Sequence, residues 1–504
     1  MAVETFETSF PHGAIPAEYG VVVFPKSFSE LDMIRLSIRI REEPNWSENM
    51  NDPIIVARWR TEMAGRLMQG DRKFDYVLAE LGYYLSIKDG SIEVAAVDGT
   101  WQSDTLIDSE LRDEFMRRVS ELENVPALKK DWHPGTNNQV LNLVNPSLFC
   151  FIAGRKPPRF ADGEEFLSMD DGLKYALEPT ASLPNYTKSA KFQWLPSEFH
   201  VHESGEVKIG SYINNLHPEY YPELYQLIEK IFEKFVPMFN KVLTDLRNPR
   251  RNRIETEFYD SFEYGVVREG PDPTTPIKIP TFQPPPAHKK IVNLNGRDLQ
   301  VIVKLANIHL TPGQPEYPGG SWHIEGMANE RIVALGIYYY SSNNITESRL
   351  NFQHAVQERY YDQNDHAANR QGHYQIIGSI VTKEGRCIAF PNTLQHQAAP
   401  FKLEDSTRDG HRKFLVFFLV DPSVKILSTS RVPPQQKAWF KNEIDKQRIP
   451  FPTAPLHRII DFMEWPMALK EAKRHRDELV NERIAFAEGS FEEYDLGPYF
   501  QAEH

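Results

Sequence analysis

The sequence predicts an α+β protein in three parts: a largely helical N-terminal region, a strand-rich middle that suits a jelly roll or another small β-barrel, and a C-terminal helical tail. Before residue 250, apolar residues recur at helical spacing in several segments. From about residue 254, short apolar runs alternate with turn residues and no regular helix intervenes. After Pro433 and Pro434 the pattern is helical again. We therefore expect the parts to span 1–250, 251–430 and 431–504.

The N-terminal elements are predicted mainly from amphipathic periodicity. Helices are expected at 27–42, 53–69, 71–84, 106–122 and 218–247. The last helix is the clearest, and Pro237 inside it should produce a kink. Short strands are expected at 92–97, 192–201 and 207–213. Residues 133–160 have the punctuation of an apolar loop.

The middle of the chain carries seven or eight strand-like segments, the number expected of a jelly roll or small barrel. These segments are 257–267, 299–310, 322–325, 332–340, 374–381, 387–390, 394–398 and 414–420. Proline-rich residues 270–286 and polar residues 357–373 are expected as loops. In the tail, Pro466 suits the first position of a helix and Gly489 a position just beyond its end. This charged helix should clamp the barrel.

Composition narrows the class of protein and its location. The net charge of −13 argues against general nucleic-acid binding, which needs a basic surface. Cys150 and Cys387 are the only cysteines, too few for a disulfide framework or a multi-cysteine zinc site. A reducing compartment is therefore expected, the cytoplasm first and the nucleus as the alternative. With no secretory signal and no apolar run of roughly 18 residues, we expect no membrane association.

The most informative motif is the segment 319–326, Gly-Gly-Ser-Trp-His-Ile-Glu-Gly. In a strand, residues i and i+2 point to the same side, so His323 and Glu325 would project together. His396 follows in a later segment as a third candidate ligand. Two histidines and one carboxylate with open positions form the facial triad of non-haem Fe(II) oxygenases. The alternative is a structural His–Glu pair at a strand end.

Other residues are candidates for a functional or a structural role. A ferrous site of this type needs a cosubstrate such as 2-oxoglutarate, whose distal carboxylate needs a buried cation. Arg412 suits this role because it begins an apolar strand after His396, and Arg408 in the preceding loop is the fallback. His200 and His202 share a strand face and could be a metal pair, although an ordinary strand is favoured. The aromatic residues Trp322, Tyr338, Tyr339 and Tyr340 could wall a pocket or belong to the core.

The order His-x-acid, His and then Arg on the last strand resembles the Fe(II)/2-oxoglutarate-dependent dioxygenases. The segments 194–198, 211–218, 318–326, 385–392 and 433–436 extend this to a large fungal family of unknown function related to that superfamily. The resemblance covers roughly residues 140–440. It implies a double-stranded β-helix (jelly-roll, cupin-like) barrel that binds Fe(II), 2-oxoglutarate and O2. It also implies that His323, Glu325 and His396 ligate the metal and that Arg412 binds the cosubstrate, although the superfamily more often has Asp where this chain has Glu325.

Three functions follow from the sequence. The favoured one is an Fe(II)/2-oxoglutarate-dependent oxygenase that hydroxylates or otherwise oxidises a small molecule, with decarboxylation of 2-oxoglutarate to succinate. The second is a protein- or peptide-directed hydroxylase or demethylase on the same barrel, for which a broad cleft would be expected. The third is a non-catalytic cupin-like binding or structural protein, which would bind no Fe(II).

Overall fold

The computed structural model describes residues 6, 8–13, 26–154, 187–250, 252–254, 278–355, 374–447 and 451–492. Its N-terminal helices are α1 (Phe28–Glu42), α2 (Trp46–Asn49), α3 (Pro53–Trp59), α4 (Gly70–Ser86) and α5 (Ser109–Glu123). The Ser27 and Asp52 side chains cap α1 and α3 by accepting hydrogen bonds from backbone N–H groups of the first turn. The helices predicted at 27–42, 71–84 and 106–122 are confirmed. The helix predicted at 53–69 is shorter, because α3 passes into a π-helical turn over Arg60–Ala64.

The longest N-terminal helix is α6 (Pro222–Arg247), and it confirms the prediction at 218–247. Pro237 lies inside it, and the kink stays a prediction. The buried face of α6 packs on the large sheet: the Phe232 and Phe235 rings lie 5.1 and 5.5 Å from the Phe417 ring, centroid to centroid. This contact joins the helical region to the strand-rich part of the chain.

The strands lie on both sides of α6. Those before it are β1 (Glu93–Val94), β2 (Trp101–Ser103), β3 (Asp131–Trp132), β4 (Val140–Val144), β5 (Phe151–Ile152), β6 (Phe192–Gln193), β7 (Ser197–Val201) and β8 (Val207–Ile209). Those after it are β9 (Arg297–Leu310), β10 (Glu316–Tyr317), β11 (Ile332–Asn343), β12 (Ser348–Ala355), β13 (Tyr374–Thr382), β14 (Cys387–Pro391), β15 (Leu394–Ala398), β16 (Phe401–Lys402) and β17 (Gly410–Val420). The predicted pairing of 192–201 with 207–213 is confirmed as the antiparallel pair β7 and β8.

All of these strands pair antiparallel, and the pairings do not close into a barrel. A ten-stranded sheet has the order β1-β2-β14-β11-β17-β9-β4-β3, with β7 paired to β9 and β8 paired to β7. A three-stranded sheet has the order β13-β12-β15, and β10-β16 and β5-β6 form two small sheets. The architecture is therefore a mixed helix-and-sheet protein with antiparallel sheets.

Alternation along the central strands divides the core into two layers. On one face of the large sheet, Leu415, Phe417 and Leu419 belong to the cluster that contains α6 and the N-terminal helices. On the other face, Val416 and Phe418 belong to a cluster shared with β12, β13 and β15 of the three-stranded sheet. Successive residues of a strand point to opposite faces, which places Arg412 on the second face, between the two sheets.

Several sequence predictions need correction. The predicted loop at 133–160 contains β4, which hydrogen bonds to β9 inside the large sheet. The boundary near residue 250 stays a prediction; strands from both sides of it share one sheet. Gly489 lies inside a helix and does not end it. Predictions at 257–267, 270–277 and 357–373 lie outside the described residues.

The tail contains three helices, α7 (Lys437–Lys446), α8 (Thr453–Phe462) and α9 (Leu469–Glu492). Ala472 and Leu479 of α9 are buried in the cluster between the sheets, so the helix packs on the fold, and its clamping of a barrel stays a prediction. Arg483 of α9 forms a buried ion pair with Glu330, at 3.0 Å between Nη2 and Oε1. Within the part of the chain that the structure describes, no helix has the length and apolar character needed to span a bilayer.

Candidate metal centre

One β-bridge brings the two histidines of the motif together. His323 N donates to the His396 carbonyl oxygen at 3.1 Å, and His396 N donates to the His323 carbonyl oxygen at 2.9 Å. The strand predicted at 322–325 is thus an isolated bridge and not a regular strand. Gly319 precedes it with a φ of 95°, and a Cβ there would lie 2.9 Å from the Ala398 carbonyl oxygen. Only glycine lets the chain pass β15 at this distance in this conformation.

The side chains of His323, Glu325 and His396 converge. One ligand atom from each lies within 4.8 Å of the others, and they form the one group of three or more potential metal ligands among the described residues. Glu325 Oε1 lies 3.8 Å from His323 Nε2 and 3.7 Å from His396 Nε2. All three residues are buried. These separations are too long for hydrogen bonds between the groups.

The protonation states suit metal ligation. His323 Nδ1 lies 2.8 Å from the Ser321 carbonyl oxygen, so Nδ1 carries a proton and donates it to that oxygen, and Nε2 is the nitrogen that faces Glu325. Burial and the charge of His323 lower the pKa of His396 to about 4. Burial alone would raise the pKa of Glu325, but the two histidines and the charge of Lys304 hold it well below its usual range. The set is therefore two imidazole nitrogens and one carboxylate.

The Glu325 carboxylate is incompletely satisfied. Its Oε2 atom is buried and has no hydrogen-bond partner within the described ranges. A buried carboxylate oxygen without a partner is costly, and a cation removes that cost. Imidazole and carboxylate ligands suit divalent iron and similar metals. The residues present therefore fit a bound divalent metal.

The backbone of Glu325 is held by the side chain of Asn392. Asn392 Oδ1 accepts from Glu325 N at 2.9 Å, and Asn392 Nδ2 donates to the Glu325 carbonyl oxygen at 2.8 Å and to that of Ile332 at 2.9 Å. Asn392 is fully buried. Sequence reasoning missed this role, and a polar residue between the apolar β14 and β15 was its only sequence signal.

Arg412 is a buried cation with no carboxylate partner in the part of the chain that the structure describes. It is 3% exposed, its Nη1 donates to Thr382 Oγ1 at 3.3 Å, and its guanidinium carbon lies 4.7 Å from the Phe401 ring centroid. No carboxylate of the described chain lies within 4.0 Å, and its Nε is buried without a hydrogen-bond partner. Burial lowers the pKa of Arg412, and the nearby Tyr339 and Tyr317 act in the opposite direction. Such a guanidinium is suited to binding an anion.

One cavity of about 630 Å³ connects these features. Both His323 and Arg412 line it, and so do Lys304 of β9 and a turn of residues 133–137 that leads into β4. Lys304 was missed from the sequence. It is half-buried while its neighbours in β9 are buried, and a single lysine in an apolar strand was the available signal.

The remaining candidates lie elsewhere. Arg408 is exposed and pairs with Asp405, at 2.8 Å between Nε and Oδ2. His200 is exposed and its Nδ1 lies 2.6 Å from Asp298 Oδ1, with no third ligand grouped near it in the described chain. Tyr338 and Tyr340 belong to the core on the helical face of the sheet, while Tyr339 faces Arg412. Trp322 is not among the residues that line the cavity.

Comparison with protein-family models places the chain. Residues 71–443 match the model described as "Protein of unknown function (DUF4246)", and residues 2–62 match "Domain of unknown function DUF4246, N-terminal". The chain belongs to the DUF4246 family. The sequence-based assignment to a family of unknown function is thereby confirmed. No curated protein matches this DUF4246 chain.

Solved structures give weak similarities to this DUF4246 protein. The Fe(II)/(alpha)ketoglutarate-dependent dioxygenase TqaL is 11% identical, with 62% of this chain and 91% of that chain covered and a TM-score of 0.25. IDO from Bacillus thuringiensis is 10% identical, with coverage of 61% and 95% and a TM-score of 0.24. A bsmA homolog from Methylobium petroleophilum PM1 is 9% identical, with coverage of 53% and 76% and a TM-score of 0.21. At these scores the neighbours carry no argument about function, which has to rest on the site itself.

Proposed function

We propose that this DUF4246 protein is an Fe(II)/2-oxoglutarate-dependent oxygenase built on a double-stranded β-helix. The observation that carries the proposal is a buried His–Glu–His set with an unsatisfied carboxylate oxygen, whose member His323 lines one cavity together with a buried arginine that has no carboxylate partner among the described residues. The packing of a large antiparallel sheet against a three-stranded one supports the fold.

His323, Glu325 and His396 would hold the metal. With a metal bound, each imidazole would offer the lone pair of one nitrogen, and the ionised Glu325 would supply one negative charge. When bound, ferrous iron with 2-oxoglutarate and O2 supplies the oxidising chemistry, in which 2-oxoglutarate is decarboxylated to succinate. Arg412 would bind the distal carboxylate of 2-oxoglutarate through its planar guanidinium.

The substrate is proposed to be a small molecule. A cavity of about 630 Å³ falls within the ~300–1,000 Å³ range of small-molecule pockets. The apolar side chains of Val140, Ile308 and Phe414 in its wall would exclude water from the reaction. A peptide substrate is less well supported, because it would require a longer cleft across the surface.

Anaerobic titration of the purified chain with Fe(II) tests the metal assignment. The wild type should bind one ion per chain, and His323→Ala should abolish binding. His200→Ala is the matched control, because His200 is an exposed imidazole beside a carboxylate outside the cavity, and it should bind like the wild type. Undiminished binding in His323→Ala would refute the site, and a wild type that binds no Fe(II) would favour the non-catalytic cupin-like protein.

Turnover is the second measurement. Incubation with Fe(II), 2-oxoglutarate and a panel of small molecules should release succinate above the background of the His323→Ala variant. Stimulation by peptides alone would favour the protein-directed alternative.

A further inference from the structure

The N-terminal arm, defined here as residues 8–13, packs against segments that carry the candidate metal ligands. Phe10 and His12 are only 2% and 4% exposed. The Arg247 guanidinium carbon lies 3.7 Å from the centroid of the Phe10 ring, and Arg247 Nη1 donates to the Ser9 carbonyl oxygen at 3.0 Å. The arm is thus anchored to the end of α6 and is part of the packed fold.

The first contact of the arm with the centre is at Gly13. A Cβ at this position would overlap the Asn392 carbonyl oxygen and lie 3.1 Å from Ile324 Cγ2. Ile324 stands between His323 and Glu325, and the Asn392 side chain holds the Glu325 backbone on both sides of the residue. Gly13 therefore touches the two segments that carry the ligands, at Ile324 and at Asn392.

The second contact is at Asp421, a fully buried carboxylate at the end of β17. Phe10 N donates to Asp421 Oδ2 at 2.9 Å, and Arg331 Nη2 donates to the same oxygen at 3.4 Å. Arg331 is the last residue of the loop 326–331, which follows Glu325 and leads into β11. Asp421 N also donates to the Arg331 carbonyl oxygen at 2.8 Å. Through Asp421, the arm is therefore also linked to Arg331, at the far end of the loop that positions Glu325.

We propose that the arm is a positioning element of the metal centre, in which the close packing of Gly13 on Asn392 fixes the Glu325 carboxylate in the geometry that binds the ion. This inference rests on the proposed function, because it takes the three side chains to be metal ligands. The arm acts through Asn392 and the loop 326–331. Residues that orient a metal ligand in this way typically change metal affinity by about 10–100-fold when mutated.

Gly13→Ala in the full-length chain is the test. Gly13 does not have a positive φ, so alanine adds only a steric clash with Asn392 and Ile324. In this variant we expect the affinity for Fe(II) or Co(II) to fall about tenfold or more. In Asn392→Ala we expect the affinity to fall by a similar or larger factor. The matched control is Gly82→Ala in α4, where a Cβ would meet only Met50 Cε at 3.7 Å, and it should bind metal like the wild type.

Hydrogen exchange of the metal-free protein gives a readout that does not need the metal. In Gly13→Ala the amide of Glu325, which donates to Asn392, should exchange at least several-fold faster, with unchanged exchange in α4. A purely structural role for the arm would lower stability while leaving metal affinity unchanged, and that result overturns the inference. If wild type and Gly13→Ala bind metal equally, the inference fails and the proposed function stands; if the wild type binds no metal, both fail.

Discussion

Two histidine–carboxylate pairs of this chain have the same chemistry and opposite surroundings. At the surface, His200 Nδ1 lies 2.6 Å from Asp298 Oδ1, and the side chains are 44% and 65% exposed. In the candidate metal centre, His323 Nε2 lies 3.8 Å from Glu325 Oε1, and the side chains are 9% and 4% exposed. The surface pair is already hydrogen bonded and hydrated, and such pairs contribute little. The buried pair is held apart with a carboxylate oxygen unsatisfied, which is the arrangement that a cation completes.

The largest effect expected from this comparison is on turnover. Glu325→Gln keeps size and shape but removes the negative charge next to the metal, so 2-oxoglutarate turnover without added substrate should fall by orders of magnitude. Asp298→Asn makes the same change in the surface pair and should leave turnover within about twofold of wild type. Succinate release measures both. If the Glu325→Gln variant turns over like the wild type, Glu325 is a structural residue and the two pairs are equivalent.

A second expected effect separates the buried arginine from the exposed one. Arg412→Ala removes one member of a desolvated charge pair worth about 2–5 kcal/mol, so the Kd for 2-oxoglutarate should rise at least about 30-fold. Arg408→Ala should change it little, because Arg408 is exposed and pairs with Asp405. Calorimetric titration of metal-loaded protein under anaerobic conditions gives both values. The reverse ranking would place the cosubstrate at the loop.

A smaller effect is expected when the charge is kept and the side chain is shortened. Glu325→Asp retains the carboxylate but withdraws it by one methylene, while Asn392 still holds the backbone. Turnover should lie between that of the Gln variant and the wild type. Succinate release in parallel assays tests this order, and an Asp variant as inactive as the Gln variant would mean that the length of Glu325 is as important as its charge.

The last effect concerns stability at acidic pH. Burial and Arg331 lower the pKa of His12 from its ordinary 6.5 to about 3, so the folded state disfavours the protonated form. Below pH 6.5 the unfolded chain binds a proton at His12 while the folded protein does not. The stabilisation present above pH 6.5 is therefore lost as the pH falls toward 3, by up to about 1.4 kcal/mol per pH unit. His12→Gln should therefore flatten the acid dependence of the free energy of unfolding. Denaturant unfolding between neutral and acidic pH measures this; equal slopes in wild type and His12→Gln would contradict it.

The sequence could predict elements whose signal is local. The long central strands are marked by apolar runs bounded by turn residues, and β9, β11 and β17 appear where expected. The His-x-acid spacing and the later His396 were enough to identify a group that the fold brings together. Arg412 was found because its alternation with Phe414 and Val416 placed it on the inner face of β17.

The parts that were missed depend on distant partners. The five residues of β4 are a strand because β9 hydrogen bonds to them, and nothing in their own pattern separates them from an apolar loop. Asn392 has its role because it hydrogen bonds to Glu325, and Lys304 because it lines the cavity. Both roles depend on residues that are distant in the sequence. Gly489 was read as a helix end because glycine usually stops helices, yet α9 continues past it to Glu492.

The attachment of β2 to β14 has a consequence for how the chain is made. Ser103 pairs with Cys387, roughly 280 residues later, so at about 5–20 residues per second the ribosome needs roughly 15–60 s to supply the partner strand. Until then the N-terminal strands expose unpaired edges, which invite association with other chains. Contacts this distant in sequence also slow folding, because a long loop must close before they form. Since Asn392 and His396 directly follow β14, the ligand set is completed only late in synthesis, after most of the chain has left the ribosome.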